Sequence, residues 1–79
     1  MRIDKFLKVS RLIKRRTIAN EACDGQRVSV NGRVVKASYS VSPGDVIEIR
    51  FGERSLKVEV QSVNEHALKS DAPMMYREL

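Results

Sequence analysis

The sequence contains no tryptophan, and its aromatic side chains number four: Phe6, Tyr39, Phe51 and Tyr76. Proteins that read single strands stack successive bases on exposed aromatic rings. The alternation of the chain assigns Phe6 and Phe51 to apolar faces, which leaves few rings for that task. Cys23 is the single cysteine, so no internal disulfide can form, as suits a reducing compartment. His66 is the single histidine and has no cysteine or second histidine at metal-ligand spacing, so no metal site and no cofactor are expected. No Ser–His–Asp set, paired-carboxylate site or phosphate-cradling glycine loop can be read, which argues against an enzyme. No apolar run approaches the ~18–20 residues of a membrane span, and no apolar stretch follows the N-terminal charges as in a secretory signal. Repeats, low-complexity tracts and linkers are also missing. The expectation is a small cytoplasmic domain with no membrane partner.

What is present is compact and strongly polarised. Seventy-nine residues, 42% apolar and 32% charged, fit one folded domain over 1–79. A chain of this size buries only roughly 60–65% of its unfolded surface, so its core must be economical. Ten of the fifteen Lys and Arg lie in residues 1–36, where they face only Asp4, Glu21 and Asp24, a local charge of +7. The remainder carries five basic and seven acidic residues, a charge of −2. Such asymmetry bears on partners rather than on fold, and a basic head calls for a polyanion.

Along the chain, Asp4 is placed to cap a first helix, with its carboxylate at the positive end of the helix dipole. Ile3, Phe6, Leu7 and Ser10 share a narrow inner face at helical spacing, while Lys5 and Lys8 fall together on another face. Leu12 and Ile13 form an apolar anchor before the cationic run Lys14-Arg15-Arg16. A second helix is expected from Arg16 or Thr17 to Asp24-Gly25. Its apolar face would be Ile18, Ala19, Ala22 and Cys23, with Arg16 and Asn20 toward solvent and Gly25 as its left-handed terminator. Val28 and Val30 alternate with polar residues up to Asn31-Gly32, a strong hairpin signal because both positions tolerate positive φ. Val34 and Val35 continue the return strand. Pro43-Gly44-Asp45 marks a turn. Ile47, Ile49 and Phe51 then alternate on one face, a turn follows at 52–54, and Leu56, Val58 and Val60 complete a second hairpin. The tail from Asn64 is weakly patterned, with Met74, Met75 and Tyr76 as an apolar anchor. Two helices followed by about four antiparallel strands give an α+β architecture, with the helices on a small curved sheet.

Five segments in register, Arg2-Ile-Asp4-Lys5-Phe-Leu, Lys14-Arg15-Arg16, Arg27-Val-Ser-Val-Asn31-Gly32, Lys36-Ala-Ser38 and Pro43-Gly44-Asp45, resemble the RNA-binding domain first described in ribosomal protein S-four, the alpha-L motif. The resemblance covers residues 1–51, with the second hairpin and tail occupying 52–79. Among single-domain members the chain is similar to the ribosome quality-control branch and the fifteen-kilodalton heat-shock proteins. That branch implies binding to rRNA of the large ribosomal subunit and to a stranded peptidyl-tRNA, in support of C-terminal alanine tailing by a partner protein. Two positions depart from the family pattern. Arg15 stands where a Ser or Thr usually caps the second helix, and the family's glycine falls at Gln26 rather than Gly25.

The resemblance implies that Arg2, Lys5, Arg11, Lys14, Arg15, Arg16, Arg27 and Lys36 line one RNA-binding surface; Lys8 joins them as a neighbour of Lys5. Arginine offers a planar fork suited to phosphate oxygens and lysine a mobile point charge. With few aromatics to stack on, structured RNA recognised by shape and backbone is the better fit. Asp4 inside this patch has two compatible roles, a helix cap, which is the favoured one, or an orienter of Arg2 or a neighbouring arginine. A monomer is expected. The alternatives are a free-standing module for another structured RNA, as in ribosome assembly or tRNA binding, a helix-turn-helix on DNA, and a basic head docked on an acidic protein. The DNA reading has little to present to a major groove beyond Asn20 and Glu21.

Overall fold

The structure, a computed structural model, describes all of residues 1–79. It opens with helices α1 (Ile3–Val9) and α2 (Arg16–Asp24), followed by strands β1 (Val28–Val30), β2 (Arg33–Val34), β3 (Val46–Phe51) and β4 (Arg54–Val60). A 3-10 turn over Lys69–Met74 then leads to a last strand, β5 (Tyr76–Glu78). The strands form one sheet in the order β2-β1-β3-β4-β5, antiparallel throughout.

The expected α+β arrangement holds, and the sheet has one strand more than the alternation suggested. β5 is three residues long and reads Tyr-Arg-Glu, too short and too polar to show a period. It forms because Met75 is buried just before it, while Tyr76, Arg77 and Glu78 pair with Val60, Glu59 and Val58. The Met75 carbonyl accepts from the Gln61 and Ser62 amides at 2.8 and 3.3 Å. Of the expected anchor, Met75 is the buried member and Met74 is exposed.

Sixteen buried residues make the core. Ile3, Phe6, Leu7 and Ser10 lie on the inner face of α1 as their spacing requires, and Ile13 follows them inward. In α2, Ala19, Ala22 and Cys23 are buried, but Ile18 is half exposed and does not belong to the apolar face. In a nine-residue helix the small side chains alone fill the contact with α1 and β1. Ile47, Ile49, Val58 and Val60 supply the sheet side. Phe51 shares their parity but is 48% exposed, because it sits at the tip of the β3–β4 hairpin beside the exposed Gly52 and Glu53, beyond the core.

The ends of the helices also differ from expectation. Gly25 has φ −83°, and the left-handed residue is Gln26 at φ +64°. Gly25 is small for another reason: a Cβ there would stand 2.9 Å from the Glu21 carbonyl oxygen, to which the Gly25 amide donates at 2.8 Å. At the other end Arg15 occupies the N-cap position and supplies no side-chain cap. The Asn31-Gly32 turn behaves as its chemistry dictates, with φ of +52° and +86°. Asn31 also ties the first hairpin to β3: its side-chain Nδ2 donates to Asp45 Oδ1 at 3.2 Å and its side-chain oxygen accepts from the Val46 amide at 3.0 Å.

The N-terminus is held in place by the segment that follows β2. Arg2 bridges to Ser40, the Ile3 amide donates to the Tyr39 carbonyl at 2.7 Å, and the Val41 amide donates to the Met1 carbonyl at 3.0 Å. Asp24 at the end of α2 accepts from the Ala37 amide at 3.2 Å. These bonds lock the basic helix pair to the segment between β2 and β3.

Candidate nucleic-acid interface

Asp4 lies at the centre of the polar contacts between the helices. Arg2 rather than Asp4 holds the N-cap position of α1, and Asp4 meets the start of the helix from inside its first turn, where its carboxylate accepts a backbone amide. Asp4 lies one residue inside the helix, 1% exposed, and its carboxylate accepts five hydrogen bonds from four residues. Arg2 reaches it as a fork, Nε to Oδ1 and Nη2 to Oδ2, both at 3.2 Å. Arg16 Nη2 approaches Oδ1 at 3.4 Å, Asn20 Nδ2 donates to Oδ2 at 3.2 Å, and the Lys5 amide donates to Oδ1 at 2.8 Å. This is the orienting role, and it joins α1 to α2. Arg16 and Asn20, expected to face solvent, turn their polar ends onto this carboxylate because a buried charge must be paired.

Burial alone would raise the Asp4 carboxyl. Hydrogen bonds from Asn20 and Arg16, the Arg16 charge and the Lys5 amide outweigh it and hold the group below its ordinary value. Asp4 therefore stays ionised, and it uses only part of each guanidinium. The Arg2 and Arg16 side chains remain 49% and 47% exposed. They line an open depression with Thr17, Asn20 and Glu21.

The other expected residues divide into separate groups. Lys8, Arg11 and Lys14 line a second depression together with Lys69, with no apolar residue in its wall. Lys36 lies beside Asp24, Gln26, Val34 and Val35 in a third. Arg15 and Arg27 are exposed and line none of these depressions. Lys5 is half-buried and pairs with Glu65 at 3.8 Å, an exposed contact of small energetic weight. Sequence reasoning missed Asn20 as an orienting residue, although its spacing of four from Arg16 puts both on one helical face. It also missed Lys69, for which no signal existed, because the tail has no period. Cys23 is the buried core residue expected of it. Burial, with the charges of Asp4 and Asp24, pushes its thiol up to about 11.

The helix pair, the hairpin and the return segment that holds Met1–Ile3 coincide with a known unit: the family model of the S4 domain matches residues 1–47. The chain belongs to the S4 domain family. Beyond this S4 domain, similarity extends over almost the whole chain. A protein of Halalkalibacterium halodurans named RQC P-site tRNA stabilizing factor is 53% identical over 76 residues, 96% of this chain and 86% of that one. The Bacillus subtilis protein of the same name is 51% identical over 96% of this chain and 88% of its own. Heat shock protein 15 of Vibrio cholerae, described as trimeric, superposes with a TM-score of 0.90 at 30% identity, covering all of this chain and 81% of that one.

Proposed function

We propose that this protein is a non-catalytic RNA-binding factor of ribosome quality control, which holds a tRNA on the large ribosomal subunit through its S4 domain. The observation that carries the reading is the Arg2–Asp4–Arg16 node. A buried carboxylate holds the guanidinium forks of Arg2, by two nitrogens, and of Arg16, by one, while leaving about half of each side chain exposed. Two such forks suit the phosphates of a folded RNA, because contacts to the backbone set register and orientation without reading sequence. The names borne by relatives about half identical to this chain support tRNA as the ligand. In this reading the rRNA of the large subunit completes the binding surface, the protein acts as a cytoplasmic monomer, and a separate protein elongates the C-terminal alanine tail. No catalytic step is assigned to the chain. Its task is to stabilise a bound tRNA.

Binding should therefore be electrostatic and should depend on Arg16. With about 4–6 phosphate contacts, log affinity should fall with log salt at a slope of about −3 to −5. Arg16→Ala should cost about 1–3 kcal/mol in tRNA binding, measured by fluorescence anisotropy. The fold should persist, since Asp4 keeps Arg2 and Asn20. A slope near zero for the unaltered protein, or full affinity in the Arg16→Ala variant, would contradict the reading.

A further inference from the structure

The second basic depression is built differently from the first. Lys8 comes from the last turn of α1, Arg11 and Lys14 from the connection to α2, and Lys69 from the 3-10 turn far along the chain. No acidic residue lines it, and none of the four cations takes part in an ion pair. The acids of the tail nearest Lys69 in sequence are engaged elsewhere: Glu65 meets Lys5 at 3.8 Å, and Asp71 accepts from the Leu68 amide at 3.1 Å. Four like charges around one hollow repel each other, and no acidic side chain pairs with any of them.

The backbone sets where Arg11 leaves the helix. Arg11, the residue just past the end of α1, has φ +66°, the left-handed conformation that commonly ends a helix. It is fixed by the Arg11 amide on the Lys8 carbonyl at 3.1 Å and the Ile13 amide on the Leu7 carbonyl at 3.0 Å. A helix C-terminus attracts cations through its dipole, which would account for Lys8 and Arg11. It does not account for Lys69. That residue is delivered by a tail whose own anchors are the buried Met75 and the pairing of β5 with β4.

We infer that Lys8, Arg11, Lys14 and Lys69 form a second phosphate-binding site for the backbone of a structured RNA, completed by the tail beyond the S4 domain. The inference rests on the RNA-binding reading above and assigns it a second point of grip. The two sites have different chemistry. The Asp4 node presents oriented forks, whereas three lysines and one arginine without an acid offer mobile point charges suited to phosphates and indifferent to base identity. Two grips built from separate sets of residues would hold a folded RNA against rotation.

The test is the salt dependence of binding to fluorescein-labelled bulk tRNA in a potassium chloride series, read by anisotropy. Lys69→Gln should weaken binding and make the log–log slope shallower by about 1, and Lys8→Gln with Lys69→Gln by about 2. Lys57→Gln, a change of equal charge on exposed β4, should leave the slope unaltered. If Lys69→Gln behaves as Lys57→Gln while Arg16→Ala loses affinity, the second site is refuted and the RNA-binding reading stands. If Lys69→Gln loses slope while Arg16→Ala binds normally, the second site holds and the Asp4 node is not the grip. A flat salt dependence in the unaltered protein overturns both.

Discussion

At the scale of single residues, the chain places its costs where charge or backbone demands them. Asp4 is the clearest case. Its carboxyl is held below the ordinary value in the fold, so the unfolded chain binds the proton more tightly. The stabilisation is complete above the unfolded value near 3.8 and is lost as pH falls through the lower folded value. Asp4→Asn should remove this acid-side slope and destabilise the fold by about 1–3 kcal/mol in urea unfolding, since two arginines lose their shared anion. Cys23 gives the opposite sign. Its thiol is raised from 9.0 to about 11, so the native state keeps a proton that the unfolded state releases. Stability should fall as pH rises between those values, and Cys23→Ala should flatten that limb of the pH profile. Gln26 carries left-handed strain that a glycine would not, so Gln26→Gly should stabilise by about 0.5–1 kcal/mol. Gly25→Ala should do the reverse, because its Cβ would press on the Glu21 carbonyl. The family pattern places its glycine at Gln26, the residue that is left-handed here. Composition alone could not tell which of Gly25 and Gln26 turns left-handed, since a glycine is also required wherever a carbonyl crowds the Cβ position.

At the scale of elements, legibility followed periodicity. The inner face of α1, the Asn31-Gly32 turn and the alternation in β3 and β4 were all readable, because each repeats at the spacing of its secondary structure or carries turn chemistry. Phe51 keeps the right period but lies where the core has ended, whereas Ile18 falls at the edge of the face that Ala19, Ala22 and Cys23 bury. β5 was invisible, being three residues of mixed polarity whose strand form depends on the β4 edge rather than on its own pattern. Its anchor can be tested: Met75→Ala should cost about 2–5 kcal/mol in thermal or urea unfolding, as for other fully buried aliphatic side chains. The N-terminus of α2 shows an element trading stability for charge. Arg15 sits in extended conformation at the N-cap and caps nothing. Arg15→Ser should add about 1 kcal/mol of stability through a side-chain cap, while weakening RNA binding by the loss of one cation. An increase in stability with unchanged RNA affinity would show that Arg15 stands clear of the interface.

At the scale of the whole molecule, the charge polarity seen in the sequence becomes a distribution of distinct sites. The basic head is not one uniform surface. One part is a pair of forks oriented by a buried acid, another an uncompensated hollow that recruits Lys69 from the mildly acidic remainder of the chain. The +7 charge of residues 1–36 was legible, and the resemblance to an RNA-binding domain followed from motifs in register. The coupling of Asp4 to Arg2, Arg16 and Asn20 was legible only as an alternative, since it depends on two helices meeting. The contribution of Lys69 depends on a tail whose path has no sequence signature.

The central claim is that the S4 domain holds tRNA on a large ribosomal subunit through the Arg2–Asp4–Arg16 node. Sucrose-gradient sedimentation of the tagged protein from cells, beside its Arg16→Ala variant, tests it most directly. The account predicts that the unaltered protein travels with free large subunits carrying peptidyl-tRNA while the variant remains at the top of the gradient. Both proteins remaining at the top, or both sedimenting alike with the subunit, would contradict it.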